Sequence, residues 1–379
     1  MERPARLVLE NVPQVKFYDG GSRCPEDICL PSVLRAITEY TDDPDYGCNK
    51  CRAKNPNCQV SCSYAFFVGV TGAAFYISWK DGWHEDNQAH FYLDADAGAM
   101  ERNAFKAMGY SFEWLMPEQR EQFVPRIAAS LQRGMPVICH GIIGPPEAGL
   151  ITGYDDDGET ILGWSFFQNF EPGIETEAPG YYRKKDWAKD VQSILIVGEK
   201  GPRPPLKETY RAALEFALKV IRTPMVRPEA DAPEWYRHRH NGLAAYDAWI
   251  AHLLDDKNFP AGDETALRRH FEVHDHMVGM VAEARWYGSQ FLVGMTEQTD
   301  VHVHRDAIEP LLHAAALYAG DHELMWKLWD LAGGIGNAEG WKLFTDPAVR
   351  RQMVPLLQET QRKDRAAAEY LEIALSHWH

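Results

Sequence analysis

QSILIVGEKGPRPPLKETYRAALEFALKVIR, residues 192–222, carries the chain from one kind of element into another. Its first part, QSILIVGE (192–199), is a short β-branched apolar run that reads as a strand. EKGPRPP (199–205) is a stiff, turn-rich linker. LKETYRAALEFALKVIR (206–222) then spaces apolar residues by three and four and breaks at Pro224, as an amphipathic helix does.

Upstream of this stretch, PVICHGIIG (136–144), AGLITGY (148–154) and TILGWSFF (160–167) read as further strands of a mostly antiparallel sheet. DDDG (155–158) is the hairpin turn between two of them. Helices are expected at SVLRAITEY (32–40), 99–109 and 117–133. Downstream, helical periodicity runs through 242–254, 264–295, 304–319, 321–332 and 346–376, with no repeat of fixed period. The fold class is therefore α+β: a 1–200 unit of helices and antiparallel sheet, followed by an all-α helical bundle at 206–379.

A chain of 379 residues is too long for one ordinary core, and 45% hydrophobic residues with 12 Trp argue for packed domains. A net charge of −16 argues against nucleic acid or anionic membrane as partner. No run approaches a membrane span, and MERPARLVLENVPQ lacks the apolar core of a signal peptide. A cytoplasmic protein is the expectation, and there thiols stay reduced.

Four of the seven cysteines lie in CNKCRAKNPNCQVSC (48–62). Cys48, Cys51, Cys58 and Cys62 follow C-x2-C-x6-C-x3-C, with a polar insert that suits a solvated turn. A structural Zn(II) is the best fit, since four thiolates close a tetrahedron and leave no position for substrate. The spacing matches neither common ferredoxin pattern, so an iron–sulfur cluster fits less well. Two disulfides are the third reading and need an oxidising compartment.

RCPEDICLPSVLRAITEY (23–40) supplies a candidate nucleophile. Cys24 stands before Pro25, Glu26 and Asp27, a good helix start, where unpaired N–H groups favour a thiolate. Pro31 offers a second start that would place Cys29 near the cap instead. If the helix begins earlier, Cys29 faces the core. For Cys24, catalysis and a buried structural thiol weigh evenly.

The Cys-opened helix ending in VLR–Y, the G-x-PVI strand (Gly134, Pro136, Val137, Ile138) and the strand from Ala148 to GYDDDG resemble a known layout. It is that of the papain-like cysteine peptidases and, within them, of the butirosin biosynthesis protein H-like family. ARWYGSQFL (284–292) and LLHAAALYAGDHELMWKLWDLAGG (311–334) are similar to that family's helical C-terminal domain. The resemblance implies acyl transfer: a Cys takes an acyl group from a carrier-protein thioester and hands it to an amine. Cys24 takes the nucleophile position. The general-base His should open the strand before GYDDDG, where this chain has Glu147. Gly163, Trp164 and Ser165 occupy the third position, so the family's triad is incomplete.

His140 in VICHGII and His84 in GWHEDN are substitutes for that base, and Glu147 is one in its own right if burial raises its pKa. Trp83, Asp86 and Asn87 of GWHEDN, with Tyr154 of GYDDDG, are candidate ligand contacts. The expected partners are a small-molecule or acyl-thioester substrate and an acyl carrier protein, docked on RKK (183–185) or the 203–227 region. The competing reading is a non-catalytic binding protein on a degenerate peptidase-like fold. HFEVHDH (270–276) could form a transition-metal site or merely a solvated cluster, and RHRH (237–240) reads as a solvated basic turn.

Overall fold

The structure, a computed structural model, describes residues 4–20, 24–43, 45–46, 62–88, 96, 98–226, 230, 236–297 and 305–378. Its strands are β1 (Leu7–Val8), β2 (Ser78–Lys80), β3 (Tyr110–Leu115), β4 (Val137–His140), β5 (Ala148–Asp155), β6 (Thr160–Trp164), β7 (Glu175–Glu177), β8 (Tyr181–Lys185), β9 (Ser193–Lys200) and β10 (Arg239–Asn241). The helices before the linker are α1 (Cys29–Tyr40), α2 (Cys62–Val70), α3 (Ala99–Met108) and α4 (Arg120–Gln132). After it come α5 (Leu206–Arg222), α6 (Leu243–Leu254), α7 (Glu264–Glu297), α8 (Arg305–Leu331), α9 (Gly340–Phe344) and α10 (Pro347–Ser376). Helix and antiparallel sheet together make the chain α+β.

Two compact units emerge, one of residues 1–67 with 104–204, the other of 68–103 with 205–379. This corrects the contiguous 1–200 domain. Residues 68–103 belong with the helices because Trp79 and Trp83 carry large apolar rings that the second core buries.

In the first unit the sheet runs β3-β9-β4-β5-β6-β8-β7, with β1 also pairing β5, and every pairing is antiparallel. The central strands are mostly apolar because both faces are covered: Val137, Ile138, Leu150, Ile151, Ile194 and Leu195 are all buried. DDDG does turn the β5–β6 hairpin. Asp156, Asp157 and Gly158 all adopt positive φ, which Asp tolerates and Gly permits. Helix α1 packs on β5.

The second unit buries Trp79, Trp249, Met325, Phe344 and Leu357 among its helices. The two helical segments expected at 304–319 and 321–332 form the single helix α8, since Gly320 leaves room for the Lys363 side chain without breaking the turn. Of RHRH, Arg237 and His238 are exposed in a turn, as expected, but Arg239 departs from that reading. Arg239 is buried in the β2–β10 ribbon, donating to Ser78 Oγ at 2.8 Å and pairing with Asp86 at 2.9 Å. Arg285, fully buried, forks onto Asp364 at 2.6 and 2.8 Å and donates to the Ala74 carbonyl at 2.8 Å. No described helix is long and apolar enough to cross a membrane.

Candidate active site

Helix α1 begins at Cys29, five residues beyond Cys24. Ile28 is the extended N-cap, its amide held by the Tyr64 hydroxyl at 3.0 Å. Pro31 then falls in the first turn, where a missing N–H costs nothing. The helix-start position assigned to Cys24 is thus corrected. Cys24 is half-buried in irregular backbone, and Cys29 takes the end where the macrodipole and the N-terminal N–H groups favour negative charge.

The Cys29 thiol lies within hydrogen-bonding reach of the Glu147 carboxyl. Glu147 stands on the last residue before β5, after Pro145 and Pro146, and α1 packs on that strand, so topology brings the two together. Burial pushes the Glu147 carboxyl up to about 7, against the smaller opposing effect of the Cys29 hydrogen bond. Cys29 is 6% exposed and its Sγ also lies 3.8 Å from the Asp27 carbonyl oxygen.

Two further acids, Glu26 and Asp27, precede the helix start. Burial pushes Asp27 to about 6, although the Tyr18 amide donates to it at 2.7 Å, and the neighbouring Glu26 raises it further. Glu26 is paired with the nearly buried Arg35 at 2.9 Å, and Arg35 also holds Glu39 at 2.9 Å.

His140 ends β4, opposite Ala148 of β5 and Ser193 of β9. Its Nδ1 is 2.9 Å from Ser193 Oγ, and burial pushes it down to about 4. A ring so hard to protonate is a poor proton acceptor at neutral pH. Cys139, its neighbour, points to the opposite face and is buried, its thiol pushed up to about 12 by desolvation. It is chemically inert at neutral pH.

The other expected residues have structural work. Tyr154 is buried and donates its hydroxyl to the Pro4 carbonyl at 2.9 Å, so it pins the N-terminal segment. GWHEDN lies in the second unit, apart from the unit that holds Glu147 and both Cys24 and Cys29. There Trp83 is a core ring, stacked on His270 at 5.2 Å. Asn87 accepts from the Lys80 amide and donates to the Lys80 and Gly82 carbonyls. Asp86 neutralises buried Arg239, and His84 is half-buried in the same turn. The third-position residues are likewise fixed: Trp164 donates to the Val12 carbonyl at 3.0 Å, and Ser165 Oγ accepts from the Phe167 amide at 3.1 Å.

Cys48, Cys51 and Cys58 lie outside the described residues, as does the side chain of Cys62. Among the described residues no group of three or more His, Cys, Asp or Glu could hold a metal ion. The histidines of HFEVHDH are split: His276 is exposed, while His274 is buried, stacked on Phe344 at 4.7 Å, and burial pushes it down to about 3.

The signal for the Cys29–Glu147 pair was present in the sequence, since Pro31 marked the alternative helix start. No family model matches the chain, and no curated protein matches it.

Proposed function

We propose that the first unit is a cysteine-dependent acyltransferase or amide hydrolase in which Cys29 is the nucleophile and Glu147 its general base. The observation that carries this is a carboxyl pushed to about 7 and hydrogen-bonded to a thiol at a helix N-terminus. A base poised near neutral pH gives a useful compromise between being deprotonated and being basic. An ordinary thiol titrates near 8.5, so handing its proton to a carboxylate at 7 costs only about 2 kcal/mol.

The chemistry follows from those two groups. Glu147 takes the Cys29 proton as sulfur attacks the carbonyl carbon of a thioester or amide. The bond to the leaving group breaks, and the leaving sulfur or nitrogen takes the proton back from Glu147. An amine or water then attacks the acyl-enzyme, Glu147 removes its proton, and Cys29 is released as the thiol. Backbone N–H groups at the start of α1 are suited to the developing oxyanion.

This reading also supports the papain-like assignment, because the helix bearing the nucleophile packs on the strand that the base precedes. It moves the nucleophile from Cys24 to Cys29. Acyl carrier protein remains the proposed acyl donor, and a structural zinc on the four-cysteine loop remains the proposed metal. The competing reading, a ligand-binding protein without covalent chemistry, is favoured by the low exposure of Cys29. Incubation with an N-acetylcysteamine thioester followed by intact-mass measurement decides between them. An acyl adduct mapped to Cys29 supports the proposal, and an unmodified chain defeats it.

A further inference from the structure

Phe17 is the centre of an aromatic group on the first unit. Its ring lies 5.1 Å from that of Phe166, 5.2 Å from Phe167 and 6.0 Å from Phe170. The group is buried at Phe166 and opens to solvent at one end. Phe170 is 71% exposed and Tyr18 is 46% exposed, while Phe17 and Phe167 are half-buried. Phe170 and Tyr18 thus leave part of a packed aromatic group open to an apolar ligand group, which such rings can stack on.

The support is rigid. Phe170 closes a tight turn, its amide donating to the Phe167 carbonyl at 2.9 Å. Within that turn Gln168 accepts from the Ser165 amide at 3.1 Å and donates to the Gly180 carbonyl at 3.0 Å. Both flanks of the group are tied to the segments that lead into the two catalytic candidates. On one side the Tyr18 amide donates to Asp27, two residues before Cys29. On the other, Phe167 packs so closely on Gly144 that a Cβ there would stand 2.7 Å from the ring's own Cβ. Gly144 opens the Gly-Pro-Pro-Glu segment that carries Glu147. Lys16 and Asp19, which flank Phe17 and Tyr18 in sequence, pair with each other and add no net charge.

We infer that Phe17, Tyr18, Phe167 and Phe170 form the subsite for an apolar, aromatic or medium-chain acyl group delivered to Cys29. The inference rests on the Cys29–Glu147 reading above and names the substrate class of that same site. The occupant is the acyl portion of the substrate, because the platform is held at both ends by the segments that carry the thiol and its base. Covering one ring-sized group against such a surface is worth roughly tenfold in rate or affinity.

The test uses the full-length protein and two alkylating probes, iodoacetamide and N-benzyl iodoacetamide, with the Cys29 peptide quantified by mass spectrometry. The ratio of their rates is divided by the same ratio for free glutathione. A normalised preference of about tenfold for the benzyl reagent is expected at Cys29. Phe170→Asp, at a position whose side chain is mostly in solvent, should reduce that preference to near one while leaving the melting temperature unchanged. The inference is overturned by a wild-type preference near one, by a preference that Phe170→Asp leaves intact, or by a Cys29 that neither probe labels. The thioester experiment is scored separately. A benzyl preference without thioester acylation leaves the subsite standing and removes acyl transfer; acylation without the preference does the reverse.

Discussion

Glu147 sits where its carboxyl meets the thiol of Cys29, and burial holds that carboxyl near 7. A carboxylate and a thiol ordinarily titrate several units apart. Here burial at the start of β5, a central strand, raises the carboxyl toward the thiol's range.

Replacing Cys29 is expected to abolish covalent chemistry. Cys29→Ala should give no adduct with a thioester and a rate reduced by at least about a thousandfold, consistent with losing a covalent nucleophile. Cys24→Ala should retain most activity, since Cys24 lies ahead of the helix in irregular backbone. Intact mass and peptide mapping of the two variants check both outcomes.

The pH dependence of stability has a definite sign. The folded-state carboxyl of Glu147 lies above its ordinary value of 4.5, so the folded chain holds an extra proton between about 4.5 and 7. That contribution is fully present below about 4.5 and is lost as pH rises through about 7. Urea unfolding should show it as a fall of about 1–3 kcal/mol between pH 5 and pH 8. Glu147→Gln should flatten this component of the curve. It should also slow thiol-dependent turnover, which in the wild type should rise with pH through about 7. A wild type and a Gln variant with parallel curves would dismiss the assignment.

In the second unit, Arg285 depends on Asp364. Asp364→Ala leaves a guanidinium buried without its counter-charge, and the expected cost is about 3–5 kcal/mol. Chemical denaturation measures it. A loss below about 1 kcal/mol would mean that water reaches Arg285.

The purified protein is expected to carry close to one zinc per chain on Cys48, Cys51, Cys58 and Cys62. Elemental analysis with a Cys51→Ser control checks this. Metal-free protein, or two disulfides found by mass spectrometry, would exclude the site.

Much of the architecture was legible, and its errors have physical causes. Apolar runs bounded by Gly and Asp turns located β4, β5, β6 and β9, whereas the charged β7 and β8 carry no such run and went unread. Helical periodicity located α5 to α8 and α10 for the same kind of reason. The site was legible only in part. Cys24 and Cys29 both stand near a proline, and local sequence cannot decide which proline lies in the first turn. The Tyr64 hydroxyl on the Ile28 amide, a contact 36 residues distant, helps fix it. GWHEDN looked like a site because Trp, His, Asp and Asn crowd together. Its residues instead serve long-range partners, Arg239 and His270, that no local pattern reveals.

The placement of residues 68–103 with the helical half has a consequence for synthesis. Trp79 and the Ala74 carbonyl leave the ribosome early, yet Trp249 and Arg285, which they meet, are made much later. At about 5–20 residues per second, the intervals of 170 residues (Trp79 to Trp249) and 211 residues (Ala74 to Arg285) last roughly ten to forty seconds. Throughout it an indole-rich segment has no core of its own, so the nascent chain is a natural client for a holdase. A gene piece starting at residue 206 would make helices with the same vacancy, and such a fragment should aggregate unless 68–103 is supplied with it.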